Sequence, residues 1–130
     1  MEGYKRRIMD TLLEKKLQAK GAVLIEGPKW CGKTTTAEEI AASKIMLSKP
    51  DIKEHFKSLI EIDTDAALAG EAPMLIDEWQ TVPKLWDAVR YTVDHRHKMG
   101  QFILTGSAVP DKEAEKEREH SETGRFAWLT

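Results

Sequence analysis

Residues 27–34 read "GPKWCGKT": a glycine, four residues, a second glycine, lysine and threonine. This order of residue types suits the cradling of a polyphosphate. Gly27 and Gly32 allow backbone conformations that turn successive N–H groups inward. A helix starting directly after such a loop adds the positive end of its dipole. Lys33 offers a point charge for β- and γ-phosphates, and the Thr34 hydroxyl is a ligand for Mg²⁺. At ordinary glycine usage the pattern arises by chance in on the order of one chain in a hundred at this length. The bland alternative is a strand-to-helix turn. The setting favours the phosphate loop, because the apolar "AVLIE" precedes it and an Ala/Thr/Glu/Ile-rich segment follows.

A second group of residues stands in "MLIDE", an apolar run ending in Asp77 and Glu78. With a phosphate loop nearby, Asp77 is expected to hold Mg²⁺ beside Thr34, through water. Glu78 is expected to orient and deprotonate an attacking water. These two segments take the Walker A and Walker B roles. "FILTGSA" supplies hydroxyls at Thr105 and Ser107; either can face a γ-phosphate and the water if its strand lies between the other two. Arg125 follows "HSETG" and can reach a phosphate in its own subunit or a neighbour's, which would make self-association part of the site; the alternative is a surface arginine. Trp30 lies in the loop and either covers the phosphates or packs on the sheet edge. Cys31 beside Lys33 is either a reactive thiol or a small residue that fits. Trp79 and Trp86 read as packing residues. "HRH" at 95–97 is not a metal motif by itself.

The elements that must position these groups follow from periodicity. Tyr4, Ile8, Leu12, Leu13 and Leu17 recur at helical spacing, predicting a helix that ends near Lys20 and Gly21. Residues 22–26 predict a buried strand, 33–43 a helix, 44–47 a short strand, and 63–72 a loop or short helix. Ile52, Phe56, Leu59 and Ile60 predict a helix after Pro50. "PMLIDE" and "QFILTGS" predict two more strands, separated by a helix carrying Val82, Leu85, Trp86, Val89 and Val93. Residues 111–122 are mostly charged and predict an exposed loop or solvated helix; apolar character resumes at Phe126. Strands alternating with helices give an α/β fold with a mostly parallel sheet. Its right-handed crossovers gather the strand ends, and with them the polar residues, on one edge.

Bulk composition narrows the rest. The 130 residues suit one domain, and 41% are hydrophobic. Twenty Lys and Arg against 22 Asp and Glu leave a net charge of -2, so charge gives no reason to expect nucleic acid. Cys31 is the single cysteine and has no disulfide partner within the chain. No apolar run approaches membrane-spanning length and no secretory leader is evident. The expected location is the cytoplasm, away from the membrane.

The blocks "GAVLIEGPKWCGKTTTAEE", "LIDEWQTVPKLWDAVRYTVD", "GQFILTGSAVP" and "HSETGR" together resemble a family of prokaryotic AAA-type ATPase-like proteins. In that family a phosphate-loop domain is usually followed by a C-terminal domain of unknown function. The resemblance runs from about Gly3 to Leu129. It implies a three-layer P-loop NTPase core that binds ATP and Mg²⁺. Gly27, Pro28, Lys29, Trp30, Cys31, Gly32, Lys33, Thr34 and Thr35 would form the nucleotide-binding loop. Thr34 and Asp77 would be the metal ligands. Glu78, Lys33, Thr105, Ser107 and Arg125 would be the catalytic and sensor residues. Glu122 stands where the family usually has glycine, which alters the turn before Arg125. Members continue well past position 130, so the chain is expected to be a C-terminally incomplete single domain. ATP, rather than GTP, is what the resemblance implies, and no Asn-Lys-x-Asp guanine motif is present. The expected activity is hydrolysis of ATP to ADP and phosphate. The alternatives are a nucleotide-binding module without turnover and a phosphotransferase; adjacent acids at 77 and 78 favour water as acceptor.

Overall fold

The computed structural model describes the backbone of residues 2–26, 33–106 and 126–129, and the side chains of residues 11–25 and 37–106. The elements run α1 (Glu2–Ala19), β1 (Ala22–Glu26), α2 (Lys33–Ile40), β2 (Ser43–Met46), α3 (Pro50–Ile62), α4 (Thr64–Ala67), β3 (Met74–Asp77), α5 (Lys84–Arg96), β4 (Phe102–Gly106) and β5 (Phe126–Leu129). A 3-10 turn, Trp79–Thr81, joins β3 to α5.

The strands form one five-stranded sheet in the order β2-β3-β4-β1-β5, and every pairing is parallel. The α/β class and parallel sheet expected from the sequence are therefore what the chain adopts. Side chains alternate across the sheet, as a two-residue period requires. Ala22, Leu24, Met74, Ile76, Phe102 and Leu104 face one core, with Phe56 and Ile60 of α3 and Leu85, Trp86, Val89 and Val93 of α5. Val23, Ile25, Leu75 and Ile103 face the other, with Leu13 and Leu17 of α1 and Ala37 of α2. Helices thus cover both faces, giving three layers. The strands can be apolar throughout because neither face meets water.

Local chemistry sets several boundaries. Pro50 occupies the first turn of α3, where its fixed φ suits a helix start. The Asp63 side chain caps α4 by accepting from the Ala66 amide at 3.1 Å. Helix α5 ends at His97 in the left-handed conformation, φ 52°. There Arg96 donates to the Leu68 carbonyl at 2.9 Å and lies over the Phe102 ring.

Some boundaries differ from expectation, most notably between α2 and β2. Helix α2 stops at Ile40 rather than 43, and β2 begins at Ser43 rather than 44. The cause is non-local. The amides of Ala42 and Ser43 donate to the Pro73 carbonyl, and the Ser43 hydroxyl donates to the Glu71 carbonyl at 2.6 Å. These bonds draw residues 42 and 43 out of the helix and into the approach to the sheet. The charged segment 111–122 lies outside the described residues.

Candidate functional site

In a parallel sheet all carboxyl ends lie on one edge. Here that edge carries the ends of β1, β4 and β3 side by side. Strand β4 lies between the strand that leads into the loop and the strand that ends in acids, as the sequence reading required. Register is aligned as well as order: Asp77 pairs with Thr105, Ile25 also pairs with Thr105, and Glu26 pairs with Gly106.

The alternation that separates the two cores also orients Asp77 and Thr105. Each lies two residues beyond a member of the α1/α2 core, Leu75 and Ile103 respectively, and so shares that face. Helix α2 packs on β3 and β4, on the same face. Its first turn begins with Lys33, Thr34 and Thr35. The start of the helix that follows the loop and the buried acid therefore belong to one side of the sheet. The side chains of Lys33, Thr34 and Thr35 lie outside the described residues. So do Gly27, Pro28, Lys29, Trp30, Cys31, Gly32, Ser107 and Arg125.

Asp77 is 5% exposed, and Thr105 is fully buried. The Thr105 hydroxyl donates to Asp77 Oδ1 at 2.6 Å. That length is typical of a hydroxyl bonded to a carboxylate. A carboxylate removed from water needs such donors. Thr105 therefore bonds to the strand-end acid Asp77 rather than facing open space.

Glu78 terminates β3 in the left-handed conformation, φ 59° and ψ 46°. For a residue with a Cβ this costs about 1–2 kcal/mol. The geometry is held from the following turn: the Glu78 carbonyl accepts from the Thr81 amide at 3.1 Å and from the Thr81 hydroxyl at 2.9 Å. The left-handed residue breaks the strand's alternation, so two adjacent acids need not project from opposite faces. The Glu78 carboxylate accepts from Gln80 Nε2 at 2.5 Å. Glu78 and Thr81 also border a hollow of about 370 Å³ beside Ser48 and Lys53.

Gln80 and Gly106 were not singled out from the sequence. A Cβ on Gly106 would stand 2.7 Å from Gln80 Oε1 and 2.9 Å from Trp79 Nε1. Gly106 thus lets the turn after β3 pack directly on the end of β4. Trp79 is 2% exposed, and its ring centroid lies 5.0 Å from that of Trp86, so both tryptophans are packing residues as read. The one available signal for Gln80 was its position two residues after Glu78. A wider groove between α3 and α5, about 1110 Å³, is lined by none of the strand-end residues.

A parallel sheet in this order, with the sequence "GPKWCGKT" running into a helix on the same face as a buried strand-end acid, defines a P-loop NTPase-like α/β domain. The family model described as an AAA domain matches residues 19–129, and the chain belongs to that family. Two uncharacterized proteins, Mb2031c of Mycobacterium bovis and Rv2008c of Mycobacterium tuberculosis, are each 31% identical to it over 107 residues. The match covers 82% of this chain and 24% of each relative, so the chain spans about a quarter of the curated relatives it matches. Among the described residues no helix is long and apolar enough to cross a membrane.

Proposed function

We propose that this chain binds ATP with Mg²⁺ and hydrolyses it to ADP and phosphate, as a hydrolase of the cytoplasm. The observation that carries the proposal is the buried Asp77–Thr105 pair on the face covered by α2. A buried carboxylate at the edge of the sheet, oriented by a hydroxyl, suits an outer ligand of a divalent cation whose inner ligand is the Thr34 hydroxyl. These donors are hard oxygens, as Mg²⁺ prefers. When bound, the metal supplies charge neutralisation at the phosphate oxygens.

The loop of residues 27–32 is assigned phosphate binding through its backbone amides. Lys33 holds the β- and γ-phosphates as a point charge. Glu78 aligns a water in line with the leaving group and accepts its proton. Thr105 keeps Asp77 oriented, and Ser107, the residue that follows β4 in sequence, is assigned contact with the γ-phosphate. Arg125 neutralises charge developing on the phosphates, from its own subunit or from a neighbouring copy.

The test is calorimetric titration of the chain with a non-hydrolysable ATP analogue, with and without Mg²⁺, alongside a phosphate-release assay. The expected result is one binding site strengthened by Mg²⁺, with phosphate released from ATP. Absence of binding at millimolar analogue with the metal present would overturn the proposal.

A further inference from the structure

We propose that Gln80 is the positioning residue for Glu78, its side-chain amide holding the carboxylate and seating that acid against the end of β4. The inference rests on the reading of Glu78 as the base.

Gln80 is bonded at one end of its amide and packed at the other. Its Nε2 donates to Glu78 Oε2 at 2.5 Å. Its Oε1 faces the end of β4, where Gly106 leaves no Cβ to displace it. The orientation of the amide is dictated chemically: reversed, it would set oxygen against the carboxylate oxygen. In the orientation it takes, Oε1 is buried and has no hydrogen-bond partner among the described residues. A buried acceptor without a donor is unfavourable. An apolar side chain of equal length would fill the same space without that cost. What glutamine adds is the donor to Glu78.

The surroundings keep the contact in place. Glu78 is held left-handed, with its carbonyl bonded to Thr81. Trp79, between the two partners in sequence, is buried against Trp86. Glu78 and Gln80 are therefore two ends of one tight turn whose interior is packed. The bond from Gln80 ties the acid to that turn, and the turn packs on the end of β4.

The test uses the full chain and the variant Gln80→Met, which keeps length and removes the donor. The expected result is analogue affinity within about twofold of the parent and a turnover number reduced about tenfold or more, with KM little changed. Because Gln80 acts through Glu78, Gln80→Met added to Glu78→Gln should reduce turnover no further. Gln80→Asn, an amide too short to span the gap, should behave as Gln80→Met does and replaces it should the methionine variant fail to fold. The contact itself is read from the Gln80 side-chain amide resonance, assigned by its loss in Gln80→Met; it should move in Glu78→Gln, whether or not the chain turns over. Parent-like turnover in Gln80→Met, with Glu78→Gln inactive, overturns the positioning role and leaves the base reading standing. Parent-like turnover in Glu78→Gln removes the base reading instead. A Gln80 amide resonance indifferent to Glu78→Gln also overturns the inference.

Discussion

Thr105 and Asp77 are 28 residues apart in sequence, yet they occupy paired positions on adjacent parallel strands and share a 2.6 Å hydrogen bond in the interior. The strand between the loop strand and the acid strand thus carries a hydroxyl whose partner is the acid. Replacing Thr105 by valine keeps the shape and removes the donor. The expected cost is about 1–3 kcal/mol of folding stability, with weaker Mg²⁺ dependence of analogue binding. Thr105→Ser should restore much of both. A denaturation midpoint and a Mg²⁺ response unchanged in Thr105→Val would show that the bond contributes neither.

Lys33 and Glu78 should separate binding from chemistry. Lys33→Ala is expected to weaken analogue affinity by about tenfold or more, since a charge-assisted phosphate contact is lost. Glu78→Gln should bind as the parent does and turn over about a hundredfold more slowly. Calorimetry and phosphate release on the same preparations decide between them. A glutamine variant as fast as the parent would transfer the base role elsewhere.

Gly106 should tolerate no larger residue. A methyl group there meets Gln80 Oε1 at 2.7 Å and Trp79 Nε1 at 2.9 Å. The flexible amide can move aside, but the buried indole cannot do so freely. Gly106→Ala is expected to destabilise the domain by about 1–3 kcal/mol and to alter tryptophan fluorescence. A variant with parent-like stability and emission would mean that the close approach is not needed.

Thr92 offers the opposite experiment. It is 4% exposed on α5, and its hydroxyl has no hydrogen-bond partner among the described residues. Thr92→Val removes a buried polar atom at nearly constant volume. The urea midpoint should rise, corresponding to about 1 kcal/mol of added stability. A fall of similar size would reveal that the hydroxyl is satisfied in solution.

What the sequence by itself determined was local in origin. The short apolar runs that form the strands, the helical stripe of Val82, Leu85, Trp86, Val89 and Val93, and the order of strand, loop and helix around "GPKWCGKT" are all visible in short windows. Those windows suffice because apolar periodicity and glycine placement act between near neighbours. Tertiary structure decided which strands lie together, and so which polar groups meet. Thr105 and Ser107 are both candidates in sequence, Thr105 lying nearer the strand end; burial beside β3 commits Thr105 to Asp77. The end of α2 was misplaced because Ser43 is drawn away by a carbonyl 28 residues distant. Gln80 gained its partner only when Glu78 adopted a left-handed conformation and Gly106 left room for the turn. Each of these outcomes depends on hydrogen bonds and close contacts between segments far apart in the chain, which no pattern of adjacent residues records.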